Sequence, residues 1–152
     1  MTDRIRIAKH FLSQAYWMDV RINGKFRQVQ SLRAIATRMT GSYEGDVVSH
    51  TRNVNSMEDA ILKVMMLEKE LDAEVDKLVD TRRVIKEVIS EVPDEEQRVL
   101  LELRYQSSCS WKEIETMVRV GHSQMFERHK HALETVYDIL VEKGLVVGDA
   151  EQ

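Results

Sequence analysis

Residues 56–92 read SMEDAILKVMMLEKELDAEVDKLVDTRRVIKEVISEV, a proline-free stretch with apolar residues in a heptad pattern. Nine of the eleven a and d positions are apolar, and Glu68 and Arg82 interrupt the seam, where they specify register or mark the end of a partner. These positions are Met57, Ile61, Val64, Glu68, Leu71, Val75, Leu78, Arg82, Ile85, Ile89 and Val92. The stretch predicts a long coiled-coil-like helix that starts at Ser56, with a capping-box-like Asp59 three residues later.

A second helical pattern precedes this one, from Arg4 to Met39. The pair Asn23-Gly24 interrupts it, but the apolar period resumes in phase, so we expect one helix with a tolerated glycine. Residues 40–55 carry two glycines and no apolar stripe, which predicts a loop. We therefore expect an antiparallel helical hairpin over residues 1–91, whose seam closes within the chain or against another copy.

Charge is distributed unevenly between these two helical segments. Residues 1–40 hold eight basic and two acidic residues, a net charge of +6, whereas residues 41–103 hold eight basic and sixteen acidic residues, a net charge of −8. Opposite charges of this size favour helices that pair with each other. A phosphate-binding role for the basic N-terminal segment is the alternative.

The last third of the chain carries a different pattern. Val92-Pro93-Asp94 ends the long helix, because proline disfavours helical geometry in the residue before it. Ser110 and Glu113 form a capping box for a short helix, Trp111 to Val118. A turn over residues 119–121 leads into a last helix from about Ser123 to Val141, with Gly144 as its stop. This order is that of a helix-turn-helix, which we assign to residues 92–144, with a tail at 145–152.

The helix-turn-helix pattern separates core residues from candidate DNA contacts. We expect a small shared core made of Trp111, Ile114, Val118, Val120, Met125, Ala132 and Leu133. The N-terminal part of the last helix would enter the major groove, where Gln can read adenine and Arg can read guanine. The predicted DNA-binding residues are His122, Ser123, Gln124, Phe126, Glu127, Arg128, Lys130 and His131.

The same segment resembles region four of bacterial sigma factors. There a proline-led helix ending in Leu-Arg-Tyr precedes a Ser-aromatic-x-Glu-Ile helix and a recognition helix. The residues that carry the resemblance are Val92 to Tyr105, Ser110 to Ile114, Val120 to Met125, and Ala132-Leu133. With its helical N-terminal half, the chain looks most like small phage-encoded regulators of the RinA/ArpU type. The resemblance implies promoter DNA binding, contact with RNA polymerase and control of phage or prophage genes.

The sequence departs from the family pattern at four positions. Glu115 stands where alanine is usual, and Arg119 stands where the turn usually has glycine. Gly121 replaces a capping Ser or Thr, and His129 falls at a position that is usually apolar. Because the module is also acidic overall, a dimer, the basic N-terminal helix or a partner protein would have to supply further phosphate contacts.

Other chemistry finds little support in the sequence. A single cysteine, Cys109, indicates a reducing compartment, and no apolar run fits a signal peptide or a membrane span, so we expect a cytoplasmic protein. The spacing of His122, His129 and His131 with Cys109 matches no zinc pattern, and we expect no metal or other cofactor. There is no phosphate-binding glycine loop and no nucleophile motif, so an enzyme is not expected.

The sequence thus predicts an all-α, non-enzymatic DNA-binding protein, acting as a sequence-specific regulator on double-stranded DNA. We expect a homo-oligomer held by the hairpin, with a dimer favoured. One alternative is a DNA-packaging component of the small-terminase kind, which also joins a helix-turn-helix to a helical oligomerisation element. The other is a helical adaptor that binds RNA polymerase or another protein and no DNA.

Overall fold

A computed structural model describes the chain at residues 2–41 and 47–148, and its side chains at residues 2–38 and 55–148. The two long N-terminal helices pack together, and the described residues contain no strand, so the predicted all-α class is confirmed. The elements are α1 (Asp3–Gly41), α2 (Val47–Ser90), α3 (Glu95–Leu101), a π-helical turn (Glu102–Gln106), α4 (Trp111–Val118) and α5 (His122–Glu142).

The predicted loop over residues 40–55 is largely wrong. Helix α1 continues to Gly41 and α2 already begins at Val47, so Ser56 lies inside α2 and is not its N-cap. Residues 47–55, VVSHTRNVN, contain neither glycine nor proline, and their β-branched and polar residues lower helix propensity only slightly. Residues 42–46 of the predicted loop lie outside the described residues.

The chain divides into two compact units, and both long helices run through the division. The first unit is Met1–Trp17 with Val79–Gln152, and the second is Met18–Leu78. This differs from the predicted boundary between residues 91 and 92. Helical periodicity identifies an apolar face but not its partner, which is why the sequence did not place the start of α1 with the C-terminal helices.

In the second unit, ion pairs join the basic α1 to the acidic α2. Lys25 Nζ lies 2.7 Å from Glu74 Oε1 and 3.5 Å from Glu70 Oε2, and Arg33 pairs with Glu68. Residue numbers thus rise along α1 from Lys25 to Arg33, whereas those of their partners fall along α2 from Glu74 to Glu68. The two helices are therefore antiparallel. The hydrogen bond that the Lys25 ammonium donates to the Glu74 carboxylate also raises the pKa of Lys25. Charge complementarity between these segments was predicted and is confirmed.

The first unit contains most of the buried apolar residues. The start of α1 buries residues at helical spacing, and the end of α2 and one face of α5 do the same. These residues are Ile5, Ala8, Leu12, Ala15, Ile85, Val88, Ile89, Val92, Met125, Ala132, Leu133, Val136, Tyr137, Ile139 and Leu140. The predicted α2 seam is therefore fully buried at its C-terminal end, whereas Ile61 and Val75 in the second unit are more than 40% exposed.

Polar contacts along its length fix α5 within the first unit. The Thr135 hydroxyl donates to Gln97 Oε1 of α3 over 3.1 Å. Lys143 Nζ lies 2.6 Å from a carboxylate oxygen of Glu91, and the Arg4 guanidinium lies 5.5 Å from the ring centroid of Tyr137. These contacts, together with the buried face, hold α5 in one orientation.

An aromatic cluster around the buried His129 joins α5 to the π-helical turn and to α4. His129 is only 8% exposed, its Nε2 lies 2.7 Å from the Tyr105 hydroxyl, and its ring meets Trp111 edge to face at 4.5 Å. Burial, assisted by the charges of Lys9 and Arg104, lowers the pKa of His129 to about 4. Burial also raises the pKa of Tyr105 to about 12, so both groups are neutral at pH 7 and the hydroxyl can donate to the imidazole.

The His129 pKa makes stability depend on pH in a defined direction. The ordinary histidine pKa of 6.5 lies above the folded value, so the unfolded chain takes up the proton first as pH falls. The neutral form is therefore fully stabilising above pH 6.5, and stability falls between about pH 6.5 and pH 4 by up to roughly 3 kcal/mol.

We expect His129→Gln to flatten this part of the pH profile of the unfolding free energy, measured by urea denaturation between about pH 7.5 and pH 4.5. The matched control is His131→Gln on the same helix, where the histidine is exposed and the wild-type slope should remain. Equal slopes for wild type and His129→Gln would contradict the role of this buried imidazole.

Candidate nucleic-acid interface

A short helix and a tight turn lead directly into α5. Ser110 caps α4: its hydroxyl accepts from the Glu113 backbone N–H over 3.2 Å, and the Glu113 carboxylate accepts from the Ser110 N–H over 2.9 Å. The predicted capping box and the predicted bounds of α4 are confirmed. Arg119 ends α4 with a left-handed backbone, at φ 58°, and Gly121 is the N-cap of α5.

The small core beneath this segment joins α3, α4 and α5. Leu100, Ile114 and Met125 are buried together, each no more than 2% exposed. The partly buried side chains packed against them are Leu103, Cys109, Trp111, Val118 and Val120. The expected core is thus present, and Ala132 and Leu133 are buried as well, further along α5. The core fixes which face of α5 points inward.

The opposite face of α5 carries seven of the eight predicted DNA-binding residues. Their side chains are exposed, whereas Met125 and His129 between them are buried. The seven are His122, Ser123, Gln124, Phe126, Glu127, Lys130 and His131. We call this surface the α5 outer face. Phe126, at 62% exposure, is a large apolar side chain on an otherwise polar surface.

Arg128, the eighth predicted DNA-binding residue, is partly buried and paired with a carboxylate. Its side chain is 36% exposed, and Nη1 lies 3.0 Å from Glu96 Oε2 on α3. A guanidinium paired in this way must leave the carboxylate before it contacts a base or a phosphate. The sequence did not suggest this pair, because the two residues are distant along the chain and meet only when α3 packs on α5.

Acidic side chains also lie beside two histidines of the α5 outer face. His122 Nδ1 is 2.8 Å from Glu115 Oε1, which accounts for the unusual acidic residue at position 115. His131 lies 3.6 Å from Glu134 and 4.0 Å from Glu127. These carboxylates reduce the positive potential that the face would otherwise present.

Two exposed cations next to α5 were not among the predicted contacts. Lys112 lies in the first turn of α4, and Arg119 lies in the turn before α5. Arg119 occupies a backbone conformation that costs a residue other than glycine about 1 kcal/mol. A further cation, Arg104, is held within the fold, stacked 4.8 Å from the Trp111 ring centroid and donating to the Cys109 carbonyl.

The C-terminal end of α5 follows the sequence prediction. The helix ends at Glu142, and Gly144 adopts φ 71°, as a glycine after a helix commonly does. The structure describes the predicted tail at residues 145–148 and leaves residues 149–152 outside the description.

The described residues offer neither a cluster of metal ligands nor a helix suited to a membrane. Over this part of the chain, no three His, Cys, Asp or Glu side chains are grouped so that they would hold a metal ion. None of the helices, within the same ranges, combines the length and apolar character that a membrane span requires.

Comparison with known protein families gives a match over most of the chain. A family model described as a protein of unknown function, DUF722, matches residues 18–138. No curated protein and no solved structure matches the chain. The family match extends from α1 into α5 and includes α4 and the turn before α5. Because it covers well over half of the sequence, the chain belongs to the DUF722 family.

Proposed function

We propose that this chain is a non-enzymatic, sequence-specific DNA-binding protein, a phage or prophage transcriptional regulator that reads double-stranded DNA with the α5 outer face. The observation that carries the proposal is the division of α5 into two faces. One face is buried in the first unit, and the other exposes polar side chains directly after a short helix and a tight turn. The order of short helix, turn and half-exposed second helix supports the proposal, because a helix-turn-helix presents its second helix to the major groove in this order.

The chemistry of the α5 outer face suits a groove and its phosphates. Gln124 and Lys130 are exposed; an amide can pair with adenine, and an ammonium can contact a phosphate. Gly121 provides no side-chain cap, so backbone N–H groups in the first turn of α5 are available to a phosphate oxygen. Arg119, in the turn before α5, adds positive charge near the same end of the helix, and Lys112 adds an exposed cation on α4.

The acidic neighbours set how strongly this face binds. Arg128 reaches DNA only after it leaves Glu96, and Glu115 holds His122. We therefore expect weak non-specific affinity, with a larger share of the binding energy coming from base contacts. In this proposal the protein acts as a homo-oligomer, a dimer being favoured, and contacts RNA polymerase once bound at a promoter.

The direct test is DNA binding by the purified protein at two salt concentrations, on fragments that include the upstream region of its own gene. We expect binding that prefers particular fragments and weakens with salt. Lys130→Ala should reduce affinity and lower the magnitude of the salt slope by about one. Lys86→Ala is the matched control, since it removes an exposed lysine from a different helix, α2.

Failure of wild type to bind DNA even at low salt would contradict the proposal and favour the adaptor alternative. Equal losses from Lys130→Ala and Lys86→Ala would mean that the α5 outer face is not the reading surface. A ring of many subunits would favour the DNA-packaging alternative.

The Arg128–Glu96 pair generates a gain-of-affinity prediction. Glu96→Gln frees the guanidinium for DNA and should tighten binding by roughly two- to fivefold, the amount expected from an exposed ion pair. Glu95→Gln is the control, because Glu95 is the exposed neighbour of Glu96 at the start of α3. Binding titrations should show the larger gain for Glu96→Gln, and that excess should vanish in an Arg128→Ala background. Equal gains from both variants would contradict a specific role for the pair.

A further inference from the structure

The second unit exposes a group of large apolar side chains on α2. Ile61 and Leu62 are 43% and 57% exposed, and Met65 and Met66, one turn later, are 60% and 64% exposed. Their spacing places all four on adjoining positions of one helix face. We call these four residues the α2 patch. Contiguous exposed apolar surface of this kind is uncommon on a monomer and marks an interaction site.

The second unit has little internal core to compensate for this exposure. Among its described apolar side chains, only Val29, Ala60 and Leu78 are buried. Two antiparallel helices cover each other on one side only, and helical bundles bury the remaining apolar side against further helices. The α2 patch therefore needs a helical partner, because burial of apolar side chains against further helices is what stabilises ordinary bundles.

The charges that flank the α2 patch indicate what that partner is. Exposed Glu58 lies one turn before Ile61, and exposed Lys69 lies one turn after Met66. If a second α2 lies antiparallel about a twofold axis midway along the patch, residue 58 of each copy faces residue 69 of the other. Ile61 then faces Met66, and Leu62 faces Met65. A glutamate–lysine pair closes each end of the apolar contact.

A parallel arrangement of the two α2 helices fits these charges less well. A parallel second copy would place Glu58 against Glu58 and Lys69 against Lys69, and like charges facing each other destabilise helix pairing. The antiparallel arrangement is self-complementary, as a twofold interface must be, because each copy supplies the same acidic, apolar and basic surface in the same order.

We propose that the α2 patch is the docking site for the α2 patch of a second copy of this chain, antiparallel, with reciprocal Glu58–Lys69 ion pairs at its two ends. The proposal rests on the homo-oligomeric state included in the proposed function and specifies its surface and direction. It does not depend on DNA.

Charge exchange tests both the surface and its direction. Sedimentation velocity over a concentration series gives the dimer dissociation constant for each variant of the full chain. Glu58→Lys and Lys69→Glu, each alone, convert two attractive contacts into two repulsive ones and should weaken dimerisation on the order of tenfold. The double variant Glu58→Lys/Lys69→Glu should restore the wild-type constant.

Mixing the two single variants gives the sharpest outcome. In an antiparallel heterodimer, the substituted position 58 of the Glu58→Lys chain faces the substituted position 69 of the Lys69→Glu chain. The unchanged Lys69 of the first chain faces the unchanged Glu58 of the second, so both contacts are attractive. The mixture should therefore dimerise as tightly as wild type, although neither variant does so alone. Weak association in the mixture, or unchanged constants for the single variants, would overturn the proposal.

A polar substitution tests the apolar part of the contact. Met66→Gln should weaken the dimer at least tenfold, whereas Met117→Gln, at a similarly exposed methionine on α4, should leave the constant unchanged. Circular dichroism melting of each variant at a concentration below the dimer constant checks that the monomer fold is intact. A monomeric wild type that still binds DNA would overturn this proposal alone, whereas a dimer that binds no DNA would overturn only the proposed function.

Discussion

The burial of one face of α5 is the constraint on which the rest of the first unit depends. Leu133, Val136 and Leu140 are almost completely inaccessible to solvent, and side chains of this kind each contribute about 2 kcal/mol through burial. Once this face is inside, the helix cannot rotate, and the side chains on its other face are fixed toward solvent. The polar contacts of α5 to α3, to Glu91 at the end of α2 and to Arg4 of α1 then set the position of the helix along its axis.

The buried imidazole shows how the fold accommodates a polar group at an apolar position. His129 remains neutral because it is desolvated, and the Tyr105 hydroxyl satisfies one of its ring nitrogens. Tyr105 is positioned by the π-helical turn at Glu102–Gln106, which also places Arg104 over Trp111. A single irregular turn therefore orients the residues that join α4 to α5.

Electrostatics distinguishes this chain from a strongly basic DNA-binding domain. Arg128 and the two histidines His122 and His131 each lie beside a carboxylate, which leaves little net positive charge at the α5 outer face. The proposed DNA recognition therefore relies on shape and hydrogen bonds more than on charge. The stronger charge separation lies in the second unit, where a basic α1 and an acidic α2 satisfy each other. The basic N-terminal segment thus serves helix pairing at Lys25 and Arg33, as the charge distribution predicted.

Local sequence signals predicted the features that depend on neighbouring residues. The Ser110 capping box, the bounds of α4 and the stop near Gly144 follow from hydrogen bonds within a few residues. Tertiary packing, which periodicity does not encode, determines the Glu96–Arg128 pair and the place of Leu12 in the first unit. The helical start of α2 at Val47 was missed because polar and β-branched residues resemble a loop in composition although they permit a helix.

The proposed function requires direct contact between the α5 outer face and DNA. The most informative measurement is an NMR titration of isotopically labelled protein with a DNA fragment that it binds. The amide chemical shift of each residue is recorded at each step. If α5 contacts DNA, the largest chemical-shift changes should cluster between His122 and His131, with smaller ones at Lys112 and Arg119, while the amides of the second unit stay unchanged. Changes confined to α1 or α2, with α5 unaffected, would rule out the α5 outer face as the contact surface.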